Sequence, residues 1–239
     1  MKYNYNIKYI NSNENNNNNF IIEDIFNLKY KEIKNKKHIY LKINFDKMNI
    51  KQYKKIIKKF QKIKEKIVKI NNFLFNIEIF VYGFDEKNSK HSDFMYAVEA
   101  IMKPNRREKY NYIYDIVCDY LDYYFINKNL CEFKDNRCGE KRETSCLVGC
   151  CRHFKHKKFG ALLPNDKLTV CEYLKNKRCV AKCISCKLFT CDYLHKKGVK
   201  FKLKDIFLID TFFNPIQKYF IKYKVFTPKE KIIKLLLKF

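Results

Sequence analysis

His38-Ile39-Tyr40-Leu41-Lys42-Ile43-Asn44-Phe45 alternates apolar and polar residues, with Ile39, Leu41, Ile43 and Phe45 on one face. A period of two predicts a strand with that face against a core. Asn49 and Gln52 then stand at the spacing of a reciprocal helix cap. After them Tyr53, Ile56, Ile57, Phe60, Ile63, Ile67 and Ile70 recur at three- and four-residue steps, the stripe of one long helix. Ile77, Ile79 and Val81 alternate with Glu78, Phe80 and Tyr82 ahead of Gly83, a second strand. Strand, long helix, strand predicts a right-handed crossover with parallel strands. The expected class is α/β, a small βαβ layer, joined to a cysteine-rich, turn-rich metal module and C-terminal helices.

Outward from that unit, Tyr3, Tyr5, Ile7 and Tyr9 alternate with Asn4, Asn6 and Lys8, another strand. Asn11 to Asn19 reads as a low-complexity loop. Residues 20–33 are apolar and fit a short strand or a turn of helix equally. Ser92 predicts the cap of a helix through Met102, closed by Pro104. Asn105 with Glu108 predicts a helix from Arg106 to about Asn127, burying Tyr110, Ile113, Val117, Leu121 and Phe125. Asp115, Asp119 and Asp122 fall on one face of it and read as solvated rather than as paired catalytic carboxylates. From Phe201 to Phe239 helix is expected again, with a cap and a proline at Asn214-Pro215 and at Thr227-Pro228. The division expected is 1–127 for the α/β domain and 128–239 for the metal-binding module with its helices.

Ten of the chain's 11 cysteines lie between Cys131 and Cys191: Cys131, Cys138, Cys146, Cys150, Cys151, Cys171, Cys179, Cys183, Cys186 and Cys191. No apolar run of signal-peptide or membrane-span length accompanies them, so cytoplasmic residence and reduced thiols are expected. Thiols this dense in a reducing setting point to metal, as Zn2+ or an Fe-S cluster, more than to disulfides. All ten are candidate ligands. The sharpest set is Cys179, Cys183, Cys186 and Cys191, whose short spacings let one loop wrap one centre. Cys171 is the nearest substitute. His153 and His156 offer a mixed site, while Cys118 reads as core and His38, His91 and His195 as ordinary surface residues.

The formal net charge is +26, yet only six of the 51 basic residues are arginines. Lysine excess alongside asparagine and isoleucine is what AT-rich codons produce, and it is a weaker sign of nucleic-acid recognition than arginine. Some attraction to nucleic acid or other polyanions remains. Five glycines leave no phosphate-cradling loop, dinucleotide fingerprint or hydrolase elbow. No reaction is assigned.

Cys146 with Cys150-Cys151-Arg152, then Cys171-Glu172-Tyr173-Leu174, Arg178-Cys179 and finally Cys186 or Cys191, resembles the zinc- or iron-chelating cysteine-cluster proteins of bacteria. The resemblance covers residues 146–191 and implies metal chelation. The chain lacks the Arg-Pro that usually precedes that family's last cysteine. Cys179-x3-Cys183-x2-Cys186 also has the spacing of the radical S-adenosylmethionine motif. Too little chain follows it for that family's barrel, so a chance match is the favoured reading. Three classes stay open: a metal-bound interaction or chelating module with structural metal, an iron–sulfur redox or radical enzyme, and a metal-knuckle nucleic-acid-binding protein.

Overall fold

Asn49 and Gln52 cap a helix as their spacing predicts: each backbone N–H donates to the other's side-chain oxygen, at 3.0 and 3.2 Å. The helix they open, α1 (Ile50–Lys69), links β3 (Lys36–Asn44) to β4 (Phe75–Tyr82). This computed structural model describes residues 3–10, 26–33, 36–46, 48–69, 75–128, 130, 174–175, 178–179, 181–190 and 192–239. β1 (Tyr3–Ile10) and β2 (Phe26–Ile33) complete a sheet in the order β1-β4-β3-β2. β4 is parallel to both neighbours, with Ile39 opposite Ile77 and Ile43 opposite Val81. β2 runs antiparallel to β3, so the ambiguous apolar run resolves as a strand. The architecture is α/β. The cysteine-rich residues 131–173 lie outside the described residues.

The chain divides into two compact units, Met1–Lys109 and Tyr110–Phe239. In the first, Ile77, Ile79 and Val81 are buried with Ile43 and Phe45, with Tyr53, Ile57 and Phe60 of α1, and with Phe94, Val98 and Ile101 of α2 (Ser89–Met102). Phe45 meets Tyr53 and Phe94 edge-on, with ring centroids 6.0 and 5.5 Å apart. Each such side chain contributes roughly 1.5–3 kcal/mol on burial. α2 starts earlier than Ser92 predicts, because Asn88 caps it by accepting from the Lys90 N–H at 3.1 Å. Gly83, after β4, holds φ +64, and a Cβ there would fall on the Asp46 carboxylate. His91 is not an ordinary surface residue: its ring stacks on Phe45 at 4.3 Å, and its Nδ1 accepts the Asp85 N–H at 3.1 Å.

The second unit begins within α3 (Arg106–Asn127), of which Tyr110, Ile113, Tyr114, Val117, Cys118 and Leu121 are buried. Its cap is the predicted one, with the Glu108 N–H donating to Asn105 Oδ1 at 2.9 Å. β5 (Leu174–Lys175) and β6 (Arg178–Cys179) form a small antiparallel pair. Helices α4 (Ile184–Lys187), α5 (Asp192–Lys196), α6 (Phe207–Phe212), α7 (Pro215–Tyr223) and α8 (Lys229–Leu236) follow. Asn214 and Gln217 cap α7 reciprocally, and the buried Gln217 amide also donates to the Tyr110 hydroxyl at 3.0 Å and the Leu236 carbonyl at 2.8 Å. α8 has Pro228 at its cap position, while the Thr227 hydroxyl turns back to the Val225 carbonyl at 3.0 Å. No helix among the described residues is long and apolar enough to cross a membrane.

Candidate metal centre

Lys182 and Phe226 hold φ at +48 and +53, the positive-φ non-glycine residues among those described. The left-handed region costs such residues roughly 1–2 kcal/mol. Both border the same two sulfurs. Left-handed Lys182 turns the chain into α4 with Cys183 as its first, capping residue, and Cys186 follows one turn later. Left-handed Phe226 aims successive amides inward from the turn after α7.

The Cys186 thiol donates to the Cys183 sulfur, and the backbone N–H groups of Cys186, Thr227 and Phe226 face that sulfur too. The Phe226 N–H also lies 3.0 Å from Cys186 Sγ. Donation from Cys186 is the largest influence on Cys183; with the amides it outweighs burial and holds the thiol below its ordinary range. As a thiol, Cys183 donates to the Lys224 carbonyl at 3.5 Å. Cys183 is buried and Cys186 only half-buried, and both carry reduced thiols.

α3 clamps this turn. Asp115 takes Lys182 at 2.7 Å and Lys229 at 2.6 Å, and Asp122 takes the buried Lys187. The Tyr114 hydroxyl accepts the Ile184 N–H at 3.2 Å, and the Lys229 N–H donates to the Ala181 carbonyl at 3.0 Å. Ser185 donates to the Ile221 carbonyl. Burial, then the nearby Cys183 sulfur, pushes the Tyr114 phenol above its ordinary range. At Asp115 burial raises the carboxyl, but the two lysines outweigh it and the net shift is downward.

Of the sequence candidates, the structure brings Cys183 and Cys186 together and places the backbone of Cys179 in β6. Cys131, Cys138, Cys146, Cys150, Cys151, Cys171 and Cys191 lie outside the described residues, as do His153 and His156. Cys118 is core, its thiol donating to the Lys182 carbonyl at 3.4 Å. Among the described residues no three His, Cys, Asp or Glu side chains gather closely enough to hold a metal ion. A tetrahedral thiolate site needs four donors, and among the described residues two sulfurs stand together.

Asp115 and Asp122 are not the solvated face expected of them, and Tyr114 was not singled out at all. Lys182 and Lys187 are each paired with one of these carboxylates. A polar residue beside an apolar stripe was the available signal, but partners that lie 65–67 positions away leave no local spacing to read. Comparison of the chain with protein-family models, curated proteins and solved structures finds no match.

Proposed function

We propose that this is a cytoplasmic metal-binding protein in which Cys183 and Cys186 supply two thiolates to one centre, completed from Cys179, Cys191 and Cys171. The metal, zinc or an iron–sulfur cluster, is at least partly structural. One observation carries the reading: two sulfurs one helical turn apart share the Phe226 N–H, and the Cys186 and Thr227 N–H groups also face the Cys183 sulfur. Amide-to-sulfur bonds of this kind favour the thiolate that a metal needs. A dithiol exchange role fits less well, because Cys183, whose thiol is held below its ordinary range, is only 1% exposed and attack on a disulfide needs access. The likeness of residues 146–191 to bacterial cysteine-cluster chelators supports the same reading.

The test is anaerobic purification with elemental analysis for zinc, iron and acid-labile sulfide, on the full chain and on Cys183→Ser and Cys186→Ser. Each substitution is expected to remove one metal centre per chain. Full metal retention by both variants moves the site to the turn at Cys146–Cys151. Iron with equimolar sulfide selects a cluster; zinc without sulfide selects a single-ion site.

A further inference from the structure

We propose that the outward face of α7 and the loop after it bind single-stranded nucleic acid, with Tyr219 and Tyr223 as stacking platforms and Lys222 and Lys224 as phosphate contacts. Ile216, Tyr219 and Tyr223 stand at steps of three and four on one face of α7, at 51%, 59% and 55% exposure. The opposite face is already used, since Gln217 and Ile221 are buried. The Tyr219 and Tyr223 rings lie 4.8 Å apart, and the Lys222 ammonium sits 4.9 Å above the Tyr223 ring. Val225 continues the exposed apolar surface.

Charge selects the occupant. From Asn214 to Lys229 the chain carries no aspartate or glutamate. Lys218 is paired with Asp210 and Lys229 with Asp115. No carboxylate among the described residues pairs with Lys222 or Lys224. A second copy docking two-fold on this face would set those lysines against their own images. A polyanion gains from them instead, and exposed tyrosines offer ring faces that only unstacked bases can meet. Single strands therefore fit better than duplex. The cysteine pair positions the loop, because the Lys224 carbonyl and Phe226 amide both lie on its sulfurs. The surface itself needs no metal to be read, and failure of metal binding would leave this proposal standing.

The test is fluorescence anisotropy of a labelled oligothymidylate of about 20 nucleotides, with heparin as the competitor polyanion, on the full chain. Y219A/Y223A removes exposed rings, and its melting curve is expected to match the parent. Its affinity for oligothymidylate should fall by roughly tenfold or more while heparin affinity holds. K222A/K224A should weaken both ligands and reduce the salt slope by about one to two. The proposal is overturned if Y219A/Y223A binds oligothymidylate like the parent, or if heparin affinity falls equally. It is also overturned if sedimentation shows a parent dimer that Y219A/Y223A dissolves, which would make a second copy the occupant.

Discussion

The unit from Met1 to Lys109 and the unit from Tyr110 to Phe239 hold their key turns by different means. In the first, β4 is fixed by area: Ile79 and Val81 are fully buried, and three rings from Phe45, Tyr53 and Phe94 interlock nearby. In the second, the turn at 181–188 is fixed by direction. Its helix has four residues, far too few to persist alone. Two carboxylates, a phenol and the Ile221 and Lys224 carbonyls point it instead. Apolar area is forgiving of small changes, whereas a set of aimed polar bonds is not. Packing suits a scaffold; aimed bonds suit a place where sulfur atoms must stand at set positions.

The largest expected contrast comes from metal removal. A structural thiolate site supplies on the order of 10 kcal/mol. Chelation should therefore speed amide exchange at residues 181–190 and 224–229 and leave Ile77 to Val81 protected. Equal loss in both regions would dissolve the contrast. Phe94→Ala reverses the test, costing about 3–5 kcal/mol. It should raise exchange across β4 and α1 before it affects α4.

Asp122→Asn is next. Lys187 has a side chain only 6% exposed, and losing its carboxylate should cost about 2 kcal/mol. Exchange at Ile184 to Leu188 reports it; an unchanged rate would show that the clamp is dispensable. The smallest effect is a gain. Burial raises the Asp93 carboxyl to about 6, so folding disfavours its ionised form. Its cost appears as pH rises above the unfolded value and is complete above the folded one. Asp93→Asn should stabilise the chain by about 1–2 kcal/mol at pH 8, with the gain vanishing near pH 4. A gain that persists in acid would assign it to something other than charge.

The strand–helix–strand unit was legible because periodicity and capping are local: Asn49, Gln52 and the stripe from Tyr53 to Phe60 write their roles within a few positions. The start of α2 was missed because Asn88 and Ser92 are both good caps and only packing chooses between them. That Cys183 and Cys186 stand together follows from the same local cause, a two-residue gap on one helical turn; whether Cys179 and Cys191 join them is a matter for the metal analysis proposed above. The clamp was not legible. Asp115 reaches Lys182 and Lys229, and no short-range pattern encodes a bond between α3 and a turn so far along the chain. Phe226 illustrates the limit most plainly: a bulky residue at positive φ contradicts local preference, and only the sulfurs beside it explain the exception.

Gly83 closes off a path of mutation. Every single-base change of a glycine codon that replaces the residue without ending the chain yields a residue with a Cβ, and here that atom would land on the Asp46 carboxylate. Aspartate, an exit whose side chain tolerates a left-handed backbone, would also bring a second negative charge against the first. Codon drift toward adenine and thymine can rewrite much of this surface into lysine and asparagine. At position 83 a replacement would have to take up the left-handed backbone and displace the exposed Asp46 side chain as well, so two separate costs hold the glycine in place.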